Sequence, residues 1–127
     1  MTQEKNISDA VSVLQSVAER IRRIEDEARE ALFKRDDPET YRQKLREKTM
    51  LLMELFELVS PFCEGMAKDS RAELETGLNS FAARAAQAWE LSSSFYMSAL
   101  LYPEAYREGD RNDLELFIDR LRIKYLS

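Results

Sequence analysis

Apolar side chains recur every three or four residues along most of the chain, which is the spacing of one face of an α-helix. The longest such series steps by four and three residues from Tyr41 to Met66. Residues 49–59 within it are so apolar that we predict a central helix, contacted by at least two others. A single charged residue, Lys48, interrupts the series, whose members are Tyr41, Leu45, Lys48, Leu52, Leu55, Val59, Phe62 and Met66.

Prolines and capping residues divide this pattern into four predicted helices. Asp37 suits the N-cap and Pro38 the first position of a helix, because proline has a fixed φ and needs no amide partner there. Pro61 cannot donate to the carbonyl of Glu57, so a kink is predicted inside the second helix. Pro103 disfavours helical geometry in the residue before it and ends the third helix. The predicted helices span residues 8–34, 38–67 with the kink at Pro61, 70–101 and 110–125.

Three long helices and a shorter C-terminal fourth, joined by short connections, predict an all-α, up-down-up-down four-helix bundle. The 127 residues are enough for one domain with a hydrophobic core. Hydrophobic residues make up 44% and charged residues 34% of the chain, as in ordinary globular proteins. The chain has three glycines and three prolines, few enough to favour long helices over a turn-rich β fold.

The register of the first helical hairpin places an acidic residue opposite Lys48. The turn between the first two helices is centred between Asp36 and Asp37, and an antiparallel hairpin then pairs Glu25 with Lys48. The following turn brings Trp89 to the same height. We therefore predict that Glu25, Lys48 and Trp89 form one layer inside the bundle.

Two interpretations of this layer stay open. In the first, Glu25 and Lys48 form a partly buried ion pair that fixes the register of the helices, with Trp89 packed on the lysine stem. In the second, the layer lines a pocket for a small molecule or an anion, since the third helix carries mainly alanine and serine at this height. Small side chains permit either close helix packing or a cavity.

Most catalytic and metal-binding arrangements are excluded by missing residue types. The chain contains no histidine and one cysteine, Cys63, which rules out histidine-based triads and metal sites built from cysteine and histidine. The sequence has no glycine-rich phosphate loop. Lys48 as a nucleophile would need a depressed pKa, and Glu25 beside it would raise that pKa. We therefore predict no catalytic residue, no bound metal and no cofactor.

Charge and hydropathy predict the compartment and exclude some partners. The net charge of −5 disfavours nucleic acid, because phosphate binding requires clustered positive charge. One cysteine cannot form a disulfide within the chain, and the polar start of the sequence lacks a signal-peptide pattern. No apolar run approaches the ~20 residues that span a bilayer. We predict a cytoplasmic protein that binds neither nucleic acid nor membrane.

The short fourth helix also predicts a partner surface. Folding back from Pro103, it should cover the half of the bundle that holds Lys48 and Trp89, and leave three helices at the other end. That end carries more apolar side chains than three helices bury, so an exposed strip there would serve a homodimer. The alternative is that the kink at Pro61 bends the chain enough to bury them. The residues of this predicted surface are Val13, Leu14, Leu55, Leu58, Phe62, Leu74 and Leu78.

The helical runs at residues 24–32 and 45–58, joined by the acidic turn at residues 35–39, resemble helical hairpins of flagellar and type III export chaperones. The resemblance covers about the first half of the chain and implies a small, acidic, cytoplasmic, all-α protein. The favoured function is a non-enzymatic protein-interaction module, an adaptor or export-chaperone-like protein that acts as a homodimer. The alternative is a small-ligand-binding bundle with its pocket at the layer of Glu25, Lys48 and Trp89.

Overall fold

The chain folds into helices with no strand among residues 2–126, which are the residues that this computed structural model describes, with side chains from Lys5 onward. The all-α class predicted from the sequence is therefore confirmed. The elements are α1 (Thr2–Lys34), α2 (Pro38–Met53), α3 (Leu55–Val59), a 3₁₀ turn (Ser60–Phe62), α4 (Lys68–Glu90), α5 (Ser94–Ala99) and α6 (Asp113–Tyr125).

Helix α1 begins at Thr2 and ends at Lys34, so its predicted end is confirmed and its predicted start at residue 8 is wrong. The additional turn is held by contacts with distant parts of the chain. Ile7 is buried in the core, and the Asn6 side-chain amide donates to the carbonyl of Glu64 at 2.8 Å. Local periodicity does not reveal an anchor of this kind.

The predicted second helix is shorter than residues 38–67. Its start is confirmed, because the Asp37 carboxylate accepts from the Thr40 amide at 3.1 Å and Pro38 is the first helical residue. Helical geometry is first disturbed at Glu54, between α2 and α3, and then ends at Val59. Pro61 lies in the 3₁₀ turn and does not kink a continuing helix. The Glu57 carbonyl, which proline cannot bond, accepts from the Ser60 hydroxyl at 3.1 Å.

The predicted third helix, residues 70–101, is in fact two helices. Helix α4 begins at Lys68 and ends at Glu90, after which Ser92 adopts a left-handed φ of 49°. The Ser93 hydroxyl then accepts from the Tyr96 amide at 3.1 Å and caps the short helix α5. Residues 100–112, which we call the connecting segment, lead from α5 to α6.

Helix α6 begins three residues later than the predicted residue 110, because Asn112 is the cap. The Asn112 side chain accepts from the Glu115 amide at 2.9 Å, and the Glu115 carboxylate accepts from the Asn112 amide at 2.8 Å. This reciprocal pair is a capping box. Its two bonds satisfy two backbone amides at once, and this fixes the start of α6 at Asp113.

The position of α6 differs from the predicted position. It starts beside Arg22, which bonds Glu115 at 2.7 Å, and ends beside Glu73, which accepts from the Tyr125 hydroxyl at 2.7 Å. Arg122 reaches Gln15 at 3.3 Å. The expectation that the last helix covers the Lys48 half is therefore wrong. Because α5 and the connecting segment have already returned the chain past that level, α6 packs along the first half of α1.

The end predicted to hold three helices is thus closed by α6. Leu14, Leu55, Leu74 and Leu78 are fully buried there, alongside inward residues of α6. Val13 and Phe62 are partly buried against the same core, and Leu58 is 40% exposed. The predicted apolar partner strip at this end is therefore wrong. Six of the seven residues are buried or partly buried, as the alternative held, but the cover comes from α6 and not from a kink at Pro61.

Gly77 sets the distance between α4 and α6. A Cβ atom at this position would lie 2.3 Å from Cε1 of Phe117 on α6. Replacing a helical glycine by alanine normally favours a helix by about 1 kcal/mol. For Gly77→Ala we expect the opposite, a loss of about 1–2 kcal/mol in the free energy of unfolding, because the Phe117 ring must move. Urea unfolding measures this change.

The control for this variant is Thr76→Ala, which alters the neighbouring exposed residue of the same helix. We expect its stability to equal or slightly exceed that of the wild type, since alanine has the higher helix propensity. A Gly77→Ala variant that is more stable than the wild type would contradict the close packing of α4 on α6.

Candidate functional site

A buried ion pair joins α1 to α2. Lys48 Nζ lies 2.9 Å from Glu25 Oε2, with Lys48 0% and Glu25 5% exposed. The two residues face each other as the hairpin register predicts. They also divide the core, because the larger apolar cluster ends at Ile21 and Leu52 on one side. On the other side lies a smaller cluster formed by Ala28, Leu45, Ala88 and Met97.

The ammonium group of Lys48 has three partners inside the protein. Besides its ion pair with Glu25, whose Oε2 atom accepts no hydrogen bond, it donates to the carbonyl of Ser98 at 3.3 Å and to that of Leu100 at 3.0 Å. These carbonyls lie at the C-terminal end of α5, where a helix leaves acceptors without intrahelical partners. Burial lowers the pKa of Lys48, while the charge of Glu25 acts in the opposite direction. Lys48 therefore ties α1, α2 and α5 together.

Tyr102, from the connecting segment, takes the place predicted for Trp89. Its hydroxyl donates to Glu25 Oε1 at 2.5 Å, and its ring centroid lies 5.1 Å from Lys48 Nζ. Burial raises the pKa of Tyr102 most, and the hydrogen bond to Glu25 raises it further. Trp89 is 37% exposed and does not line the cavity beside the pair, so its predicted place in the layer is wrong.

Arg22 forms a second polar centre, one turn before Glu25 on α1. Its Nε and Nη2 atoms donate to the Glu115 carboxylate at 3.2 and 2.7 Å. Nη1 donates to the hydroxyls of Tyr102 and Tyr106 at 3.4 and 3.2 Å, and Nη2 also donates to the Asp110 carbonyl at 3.0 Å. The hydrogen bond to Glu115 contributes most to raising the pKa of Arg22, against the effect of burial. Arg22 fastens the connecting segment to α1.

The Glu115 carboxylate makes the stability of this network dependent on pH. Burial alone would raise its pKa, but the hydrogen bonds from Arg22 and the Asn112 amide outweigh burial and lower it below 4.5. Its contribution to stability is present above 4.5 and lost as the pH falls through the lower pKa of the folded state. We expect Glu115→Gln to be less stable than the wild type at neutral pH, with a difference that shrinks in acid.

Thermal unfolding followed by circular dichroism between neutral and acidic pH measures this effect. The control is Glu54→Gln, which removes an exposed carboxyl outside the network. It should be about as stable as the wild type at neutral pH. A Glu115→Gln difference that stays constant through acid would show that Arg22 and Glu115 do not interact as described.

An open cleft with a volume of about 840 Å³ lies directly beside the Glu25–Lys48 pair. This volume falls within the roughly 300–1,000 Å³ of small-molecule sites. Helices α1 and α2 form two walls, and α5 and the connecting segment form the third. The lining residues are Arg22, Glu25, Ala28, Arg29, Phe33, Tyr41, Leu45, Lys48, Ser98, Tyr102, Tyr106, Glu108 and Gly109.

A second surface feature lies where α4 passes into α5. Four large apolar residues are exposed within eight positions there: Trp89 at 37%, Leu91 at 58%, Phe95 at 74% and Tyr96 at 53%. The rings of Phe95 and Tyr96 meet edge to face, with their centroids 5.5 Å apart. We call these four residues the aromatic corner. Phe95 follows the buried Ala88 by seven residues, a spacing that an unbroken helix would place on the same face, but the break at Ser92 turns it outward.

The remaining functional groups are less distinctive. Cys63 is buried and free, and burial raises the pKa of its thiol. Among residues 2–126, no three acidic or cysteine side chains group in a way that could hold a metal ion. No helix within these residues is long and apolar enough to cross a membrane.

Comparison of the chain with protein-family models, with curated proteins and with solved structures finds no match.

Proposed function

We propose that this chain is a non-enzymatic helical binding protein that holds a small ligand in the cleft beside Glu25 and Lys48. The observation that supports this proposal is the open cleft of about 840 Å³ at this layer. A closely packed layer would have left the ion pair with a purely structural role. The burial of the predicted dimer strip also removes the first reason for preferring a partner protein at that end.

The charged groups at the floor of the cleft favour binding over catalysis. A nucleophilic lysine needs a free lone pair, but Lys48 is 0% exposed, forms an ion pair with Glu25 and donates to two carbonyls. A general base needs a carboxylate oxygen that a ligand can reach, whereas Glu25 Oε1 accepts from Tyr102 and Oε2 is buried against the Lys48 ammonium group. The groups therefore hold the floor rigid, which suits a preformed binding site.

A nuclear magnetic resonance screen of small fragments against the full chain tests the proposal. We expect at least one fragment to shift the amide signals of cleft residues such as Ala28, Phe33, Tyr41 and Leu45. Phe33 is 77% exposed at the rim, so Phe33→Ala should weaken such binding several-fold with little effect on folding. Failure of every fragment to shift these signals at millimolar concentration would overturn the proposal.

The matched control is Phe95→Ala, which removes an equally exposed ring from the aromatic corner. It should leave fragment binding in the cleft unchanged. If Phe95→Ala abolished the binding and Phe33→Ala did not, the fragments would be binding at the corner and not in the cleft.

A second candidate function is protein interaction through the aromatic corner, with a homodimer as the simplest arrangement. Exposed aromatic side chains are enriched at protein interfaces, and four large apolar residues lie together there. An adaptor or export-chaperone-like role belongs to this candidate, and its basis is the resemblance of the first hairpin. Light scattering at high micromolar concentration tests it, with Phe95→Ser and Leu116→Ser compared with the wild type.

If the corner forms a dimer, the wild type and Leu116→Ser should be dimers and Phe95→Ser a monomer. Leu116 is 48% exposed on α6 and lies outside the corner, which makes it the control. A monomeric wild type would overturn the homodimer.

Two finer features complete the proposal. The first is the course of the chain: the long helices α1, α2, α4 and α6 are proposed to run up-down-up-down as a four-helix bundle. This is supported by the packing of α2 on α1 and α4, and of α6 on α1.

The second is a cytoplasmic location. It is supported by the free thiol of Cys63, since a reducing compartment preserves thiols.

A further inference from the structure

The three cations that line the cleft are not equally available to a ligand. Arg22 donates to Glu115, two tyrosine hydroxyls and a carbonyl, and Lys48 bonds Glu25 and two carbonyls. Removing either cation from these partners would leave buried acceptors unsatisfied, which is costly. A ligand therefore gains little from Arg22 or Lys48.

Arg29 is the available cation. Its partner is Asp26, three residues earlier on the same helix, and both side chains are exposed, at 59% and 70%. Exposed ion pairs contribute little to stability, so a ligand anion can replace Asp26 at small cost. The guanidinium group offers two parallel donors to a carboxylate, which fixes orientation as well as charge.

The rest of the cleft suits an apolar body. Phe33 follows Arg29 by one helical turn, and Tyr41, Leu45 and Ala28 line the same cleft. Phe33 is 77% exposed, so a ligand that covers its ring removes apolar area from water. The carboxylates of Glu25 and Glu108 also line the cleft and would repel a second negative charge.

We propose that the cleft binds amphipathic monoanions, with the anionic group on Arg29 and the apolar body against Phe33 and Tyr41. This inference rests on the proposed function and adds the chemical class of the ligand. The chemistry required is one carboxylate, or a similar anion, attached to an aryl or alkyl group that fits within about 840 Å³.

Three naphthalene probes that share the ring and differ in the charge of the attached polar group test the ligand class on the full chain: naphthoate, naphthalene methanol and naphthylmethylamine. Isothermal titration calorimetry or the polarisation of naphthalene fluorescence gives their affinities. We expect naphthoate to bind about tenfold more tightly than the alcohol, the difference that one additional charge-assisted contact supplies. The amine should bind most weakly.

Arg29→Gln should reduce the naphthoate affinity to that of the alcohol and leave the alcohol affinity unchanged. Arg23→Gln, an exposed arginine on α1 that does not line the cleft, should change neither. Circular dichroism and urea unfolding verify that both variants are folded.

The outcomes separate this inference from the proposed function. Equal affinity for the three probes, or no effect of Arg29→Gln, would overturn the assignment of monoanions and leave a small-ligand site in place. Tighter binding of the amine would overturn it in favour of a cationic ligand. Failure of all three probes to bind would contradict the inference alone, because the fragment screen tests the small-ligand site itself.

Discussion

Replacing Lys48 with methionine is expected to lower the free energy of unfolding by about 3–5 kcal/mol, because it leaves the Glu25 carboxylate buried without its cation. Methionine matches the lysine stem in shape, so the change tests charge and hydrogen bonding more than packing. Three acceptors lose their donor at once: Glu25 and the carbonyls of Ser98 and Leu100. Urea unfolding at neutral pH measures the loss.

Two comparisons identify the cause of that loss. Lys44→Met removes a lysine one turn earlier on α2, whose pair with Glu27 is partly exposed, and should cost less than about 1 kcal/mol. The second comparison is the double variant with Glu25→Gln, in which the carboxylate is removed together with the ammonium group. A loss no larger than that of Lys44→Met would show that the pair is not buried as described.

A double-mutant cycle separates the ion pair from the other contacts of Lys48. Glu25→Gln alone leaves a buried ammonium group unpaired, and should be strongly destabilising as well. The double variant with Lys48→Met removes both charges, so it should cost less than the two single changes added together. The Ser98 and Leu100 carbonyls remain without a donor in the double variant, and full recovery is therefore not expected.

Helical periodicity is sufficient to predict those helices that bury one continuous apolar face. On α1 and α6 the apolar side chains at helical spacing, such as Ile21 and Leu121, are buried, because each apolar stripe faces the core along its helix. The hairpin of α1 and α2 was also predictable, since Asp37 and Pro38 fix where α2 begins and a short turn then fixes the register. That register alone is enough to place Glu25 opposite Lys48.

Periodicity failed where the backbone changes direction without glycine or an interior proline. Ser92 and Leu101 both adopt left-handed φ values, of 49° and 78°, which sequence patterns do not predict for these residue types. The stripe from Ala88 to Phe95 continues across Ser92 in the sequence and is broken there in three dimensions. Trp89 is consequently predicted to lie inside the bundle, whereas it lies at the surface.

The same errors explain what was missed at the site. From the sequence, Tyr102 is only the residue that precedes Pro103 at the end of a helix. The connecting segment has no regular spacing of apolar residues, so the sequence does not show which residues Tyr102 will face. Arg22 lies between Arg20 and Arg23 on α1, and nothing in the local sequence distinguishes it from these two exposed arginines. The one available signal was the capping-box spacing of Asn112 and Glu115, which places a carboxylate at the start of α6. It did not indicate that Arg22 would be its partner.

Replacing Arg22 with methionine is expected to cost about 2–3 kcal/mol and to loosen the connecting segment, because a largely buried carboxylate and two hydroxyls lose a charged donor. Glu115 keeps its bond from the Asn112 amide, so the cost should be smaller than for Lys48→Met. Hydrogen exchange adds a local measurement. The amide of Tyr106, bonded to Pro103, and that of Asp113, bonded to Leu101, should exchange faster in the variant.

Arg22→Lys distinguishes geometry from charge at this position. Lysine keeps the positive charge but lacks the planar fork that bonds Glu115 through two nitrogens, so its stability should fall between that of methionine and the wild type. Arg23→Met, which removes the exposed neighbouring arginine, should behave as the wild type. Because Tyr102, Tyr106 and Glu108 form one wall of the cleft, Arg22→Met should also weaken naphthoate binding. Unchanged exchange at Tyr106 and Asp113 would mean that Arg22 does not hold this wall in place.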